Sequence, residues 1–148
     1  MESQVVRDSL LHLTGKLDLT MGGPSIEPSP NARRRALYFL HSRDKQSKFL
    51  ATFDDAEILS CYERTESIVP QQALALSNAK VPLETSEILG KRGPEDNESY
   101  IRQVFSDILC RPPTDEEFKE CLGFLKDIPK RARLVHALLT HNDFLTIR

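Results

Sequence analysis

The chain has 148 residues, with 20 Lys and Arg against 22 Asp and Glu and a net charge of -2 at pH 7. That length is enough for a real hydrophobic core without disulfide staples, and 39% hydrophobic and 28% charged residues are a globular rather than a disordered mixture. The near-neutral balance offers no overall attraction to phosphate backbones, which disfavours nucleic acid as a partner, and no stretch approaches the ~20 apolar residues of a membrane span.

Three cysteines, Cys61, Cys110 and Cys121, lack CxxC or CxxCH spacing, so neither a zinc ribbon nor a c-type haem attachment can be built from them. Buried free thiols are the expectation, although Cys110 and Cys121 flank one turn and could approach each other. No cofactor and no metal are expected. The opening residues lack the basic start and continuous apolar run of a secretory signal. Met1 opens almost directly onto a helical pattern, which reads as a chain that is cytosolic or incomplete.

In chain order, Val6, Leu10, Leu13 and Leu17 recur at helical spacing and predict an amphipathic helix over 4–17. Met21-Gly22-Gly23-Pro24, with Pro28 and Pro30, predicts a loop of a length usually reserved for function or for lining a partner. Arg33-Arg34-Arg35 leads into the apolar run 36–40, and residues 49–53 form a second such run. The two predict a short β-hairpin, with the arginines as a solvated or acid-paired strand start. Pro70 suits the first turn of a helix through Gln72 to Asn78, and a further helix is expected from Leu83 to Leu89. Gly90 and Lys91-Arg92-Gly93-Pro94 end it as a hinge.

The last third is the most regular. Tyr100, Ile101, Val104, Phe105, Ile108 and Leu109 fit a helical stripe that Arg111-Pro112-Pro113 stops. Thr114 and Glu117 have capping-box spacing ahead of Phe118, Cys121, Leu122 and Leu125. Pro129 opens a third helix with Leu134, Val135, Leu138 and Leu139. The expected fold is therefore mainly α: amphipathic helices with a C-terminal three-helix cluster and a short β-hairpin. The chain reads as one domain or domain fragment, with residues 1–90 holding the helix, loop, hairpin and a polar corner, and 95–148 the helical cluster.

Candidate chemistry concentrates between residues 52 and 78. Cys61 beside Arg64 has the makings of an activated thiol, but no base is in view and packing is the plainer role. Asp54, Asp55, Glu57, Glu63 and Glu66 could supply an acid and base pair or hard-cation ligands, yet no EF-hand spacing is present. Gln71, Gln72 and Asn78 could bond a polar ligand or fix a structural corner. His136 and His141 are five apart, which excludes an HExxH-type zinc pair; one is expected to be partly buried and the other to sit at a helix C-terminus.

RDSLLHLTGKLDLTMGG, RRALYFLHSRDKQSKFLATFD, CYERTESIVPQQALALSN, RPPTDEEFKECLGFL and LVHALLTHNDFLTIR resemble successive blocks of the planctomycete domain of unknown function 1553 family. The resemblance spans nearly the whole chain and is most specific at Cys61, Tyr62, Arg64, Glu66, Ser67, Pro70, Gln71 and Gln72. Glu63, where the family pattern has arginine, and Asp55-Ala56-Glu57 depart from it. The family has no established activity. Membership implies the C-terminal portion of a larger exported, periplasmic or surface protein, often with cytochrome c-like and other domains upstream, so that any haem belongs to a separate upstream domain. Partners would then be those upstream domains or another protein chain.

The combined expectation is a noncatalytic structural or interaction module. Its signature corner comprises Asp54, Cys61, Tyr62, Arg64, Glu66, Ser67, Pro70, Gln71, Gln72 and Asn78, with no catalytic residue assigned. Two rival readings are a carbohydrate-active or other hydrolytic domain using the Asp54, Glu57 and Glu66 carboxylates, and a redox accessory that docks a cytochrome c domain.

Overall fold

The computed structural model describes residues 1–40, 42, 47–53, 70–128 and 130–146. The chain divides into two compact units, Met1–Val81 and Pro82–Arg148. Among the described residues all regular structure is helical: α1 Ser3–Leu13, a 3-10 turn Ala36–Tyr38, α2 Lys48–Ala51, α3 Pro70–Asn78, α4 Lys80–Gly90, α5 Asn97–Leu109, α6 Asp115–Asp127, α7 Arg131–Leu139 and α8 Asn142–Leu145. The mainly α expectation holds, and the hairpin is replaced.

In the first unit, α1 buries Val6, Leu10 and Leu11 on one stripe. It stops earlier than its apolar spacing suggests, because Thr14 turns its hydroxyl back to the Leu11 carbonyl at 2.8 Å and Gly15 takes φ 70, leaving Leu17 half-buried beyond the helix. Both α2 and the 3-10 turn pack on α1. Ala36, Phe39 and Leu50 form a small buried cluster with Ile26, Ala32 and Phe49 against it.

Two competing uses of the backbone undo the hairpin expected from runs 36–40 and 49–53. The Ala36 N–H donates to the Asp8 carboxylate at 2.9 Å, and the Ala32 and Arg34 carbonyls accept from Arg7, which takes these groups out of a hairpin ladder. What pairing remains is parallel and local: isolated bridges join Asp18 to Arg34 and Ile26 to Phe39. The second run becomes α2, because Ser47 caps it by accepting from the Leu50 N–H at 3.4 Å, and helical spacing sets the Phe49 and Phe53 rings 5.0 Å apart.

In the second unit α5 is central, packing against α6, α7 and α8 and burying Tyr100, Ile101, Val104, Phe105, Ile108 and Leu109. Asp96 caps its start by accepting from the Ser99 N–H at 2.8 Å, and Cys110 ends it in the left-handed region at φ 54. The Thr114 and Glu117 capping box forms in both directions, at 3.2 and 2.8 Å. α7 adds Leu134, Val135, Leu138 and Leu139, and α8 adds Phe144. Arg131 clamps the turn before α5 by donating to Asn97 Oδ1 at 2.8 and 3.1 Å and to the Pro94 carbonyl at 2.7 Å, while stacking 4.3 Å from the Tyr100 ring centroid.

Three expectations shift here. α4 starts at Lys80 rather than Leu83, because Pro82 falls in its first turn, where the missing N–H costs nothing. His141 follows the C-terminus of α7, its N–H donating to the Leu138 carbonyl at 3.1 Å, but it also starts α8, its Nδ1 accepting from the Asp143 N–H at 3.1 Å, while His136 is half-buried in the last turn of α7. Cys110 is exposed and Cys121 half-buried, both as free thiols, so neither is the buried packing residue expected.

The close approach of α4 to α7 gives a direct expectation. A Cβ on Gly90 would lie 2.6 Å from the Ala132 nitrogen and 2.7 Å from its Cα, both backbone atoms that cannot swing away. Gly90→Ala is expected to destabilise the chain by about 1–3 kcal/mol, read as a lower urea midpoint at unchanged slope.

Candidate functional site

The signature corner is only partly described. Asp54, Cys61, Tyr62, Arg64, Glu66 and Ser67 lie outside the described residues, as do Asp55, Glu57 and Glu63. Pro70 is the first residue of α3, as its fixed φ suggests. Gln71 is exposed and Gln72 buried, so adjacent amides face different environments. Asn78 closes the same helix by donating from Nδ2 to the Leu74 carbonyl at 3.2 Å. Among the described residues no group of three or more His, Cys, Asp or Glu side chains is placed to hold a metal ion.

The feature that the structure builds most deliberately is the Gly/Pro loop, through a pair of arginines. Arg7, on α1 and only 3% exposed, donates from Nη1 to the Arg34 carbonyl at 3.0 Å and from Nη2 to the Ala32 carbonyl, and lies 4.5 Å over the Phe39 ring. Its own carboxylate partner is Asp8, at 3.1 Å. Burial pushes the Arg7 pKa down and Asp8 opposes that shift.

Arg34 closes the loop from the other side. It donates from Nη1 to the Pro24 carbonyl at 3.1 Å and from Nη2 to the Gly22 carbonyl, with its guanidinium 4.0 Å from the Tyr38 ring centroid. The Tyr38 hydroxyl in turn accepts from the Gly22 N–H at 2.8 Å. Gly22 and Gly23 adopt φ 75 and 88, the left-handed conformations that let both carbonyls reach one guanidinium. The Asp18 N–H donates to the Arg33 carbonyl at 2.8 Å and fixes the start of the loop. Asp18 itself titrates low, mainly because its carboxylate accepts from the Thr20 hydroxyl and N–H.

This pinned segment carries large apolar side chains into solvent. Met21 is 75% exposed and Leu19 60%, with Leu37 and Leu40 also exposed on the paired stretch. The arginine triplet thus has three fates: Arg33 is exposed, Arg34 holds carbonyls, and Arg35 sits 3.8 Å from Asp8. A sequence reading that expects solvation or acid pairing captures the outer two and misses Arg34. The signal was present as an arginine four residues before a tyrosine, following a Gly-Gly pair.

A second charged centre joins α5, α6 and α8. Arg111 holds both Glu117 oxygens at 2.7 and 2.8 Å and reaches Asp143 Oδ2 at 2.9 and 3.0 Å. The Arg111 bonds push the Glu117 carboxyl down to about 2 from its ordinary 4.5, and those from Glu117 and Asp143 raise Arg111. With its hydrogen bonds satisfied by its own neighbours, this centre is a structural weld. Because the Glu117 pKa is depressed on folding, its stabilisation is full above about pH 4.5 and is lost as pH falls toward 2. The side chain is 29% exposed, which limits the contribution to about 1–2 kcal/mol. Glu117→Gln is expected to flatten the fall in melting temperature between pH 5 and about pH 2 without abolishing it.

The described residues form a mainly helical chain whose Gly/Pro loop is pinned by Arg34 and Tyr38. A family model described as PSD1, protein of unknown function (DUF1553), matches residues 1–125, and the chain belongs to that family. No curated protein and no solved structure matches it. No helix among the described residues is long and apolar enough to cross a membrane.

Proposed function

We propose that the chain is a noncatalytic interaction module that packs against, or completes, a larger protein through the face carried by residues 18–40. The observation that supports this reading is the exposure of Leu19, Met21, Leu37 and Leu40 on a backbone pinned by Arg7, Arg34 and Tyr38. Exposed apolar side chains are common one at a time, but a rigid segment presenting several of them has already lost the loop entropy that binding would otherwise cost. On this reading Pro70, Gln71, Gln72 and Asn78, together with Asp54, Cys61, Tyr62, Arg64, Glu66 and Ser67, serve a structural rather than a catalytic role. The larger protein would be of the exported or surface type that the resemblance implies, with its upstream domains as first candidates for the partner.

The test compares the chain with a Leu19→Ser/Met21→Ser variant by hydrophobic-dye fluorescence and sedimentation. The parent chain is expected to bind dye and self-associate with rising concentration, and the variant to lose both while keeping its circular dichroism. A parent chain that stays monomeric and dye-silent would sink the reading. So would a hydrolytic activity that disappears in a folded Glu66→Gln variant.

A further inference from the structure

The charge around the same face specifies its occupant more closely. Asp18 N–H to Arg33 and Gly22 N–H to the Tyr38 hydroxyl hold the segment bearing Leu19 and Met21 beside the one bearing Arg33 and Leu37. Arg33 is exposed and has no ion-pair partner among the described residues. Arg34 spends its described bonds on the Gly22 and Pro24 carbonyls, and the nearby Asp18 carboxylate meets only part of its charge without a direct bond. Arg35 is 41% exposed at its side chain and only loosely opposed by Asp8 at 3.8 Å. Asp8, in turn, is committed to Arg7 and the Ala36 N–H.

Arg111, by contrast, is closed by two carboxylates, Glu117 and Asp143. Apolar anchors beside undercompensated guanidinium groups are complementary to a segment that alternates apolar and acidic side chains.

We propose that this face receives an acidic amphipathic segment of another protein, with Leu19, Met21 and Leu37 seating its apolar side and Arg33 and Arg35 meeting its carboxylates. The inference rests on the interaction-module reading and adds the chemistry of the partner. A protein segment is favoured over an anionic membrane because Asp18 and Glu27 lie along the same stretch and the chain as a whole carries a net charge of -2, both unfavourable beside a uniformly negative surface. Discrete carboxylates can be placed opposite the arginines and away from the acids.

The experiment uses the full chain and two synthetic helical peptides with identical leucine positions, one filled with glutamate and one with lysine, alongside phosphatidylserine/phosphatidylcholine vesicles. Fluorescence anisotropy is expected to show binding of the glutamate peptide, weakening with added salt, and none of the lysine peptide. Arg33→Glu and Met21→Ser are each expected to weaken binding about tenfold, and Arg33→Lys to retain most of it. Both positions of change are exposed, so circular dichroism should not move; Leu19→Ser, also at an exposed position, supplies the apolar arm if Met21→Ser disturbs the loop.

Equal binding of both peptides, abolished by Met21→Ser, would overturn the acidic occupant while leaving the interaction module standing. Binding of neither peptide by a chain that still binds dye through Leu19 and Met21 would do the same. Binding to vesicles alone would replace the protein partner with a lipid one. A chain with neither dye nor peptide binding would remove both readings.

Discussion

Truncation after Asp127 is expected to unfold the second unit. The family match ends at residue 125, inside α6, yet the packing of α5 does not end there. Leu134, Val135, Leu138, Leu139 and Phe144 are all buried and all lie beyond the cut. At roughly 1.5–3 kcal/mol for each large apolar side chain buried, their loss rivals the whole net stability of about 5–15 kcal/mol expected of a domain. The same cut removes Arg131 from the Pro94 carbonyl, Asn97 and the Tyr100 ring, and Asp143 from Arg111. Tyr100 would then lose part of the burial that pushes its phenol up to about 12. The readout is hydrogen exchange across the full and truncated chains: α5 amides should lose protection in the truncated chain, whereas α1 amides should keep theirs. Protected α5 amides in the 1–127 chain would mean that α5 and α6 form a sufficient core alone.

The second unit was the more legible part because its helices are specified locally. The stripe from Tyr100 to Leu109 and the Thr114 and Glu117 pair each contain, within a few residues, the period and the cap that define the element. The first unit depends on contacts across some 25 residues. The Arg7 bonds to the Ala32 and Arg34 carbonyls, and Asp8 to the Ala36 N–H, decide that residues 32–40 form a turn and isolated bridges instead of a strand. A five-residue apolar run such as 36–40 has no period that distinguishes strand from helix, so those distant side chains settle it.

The site followed the same division. Pro70 at the start of α3 was readable from its fixed φ, and the loop from its Gly and Pro content. That the loop would be pinned was not readable, because the pinning comes from one guanidinium reaching the Gly22 and Pro24 carbonyls while stacking on Tyr38. The exposure of Met21 and Leu19 was equally hidden, since an apolar residue in sequence is expected to be inside.

Arg7→Ala is expected to be the most damaging single substitution in the first unit, at about 3–5 kcal/mol. Arg7 is 3% exposed, and its guanidinium serves the Ala32 and Arg34 carbonyls, the Asp8 carboxylate and the Phe39 face at once. Alanine would leave those acceptors without their donor and a void above the ring, so both hydrogen-bond and packing contributions are lost together. Lysine keeps the charge but lacks the planar fork needed to reach two carbonyls while stacking, and should recover only part of the loss. Urea unfolding of Arg7→Ala, Arg7→Lys and Arg34→Ala separates the two arginines. Arg34 is half-exposed and ties only the loop, so its removal is expected to cost about 1 kcal/mol or less while weakening peptide binding through a loosened Leu19 and Met21. Equal stability losses from the two alanine variants would show that the loop and the α1 core are one cooperative structure, and that the binding face cannot be loosened without unfolding what supports it.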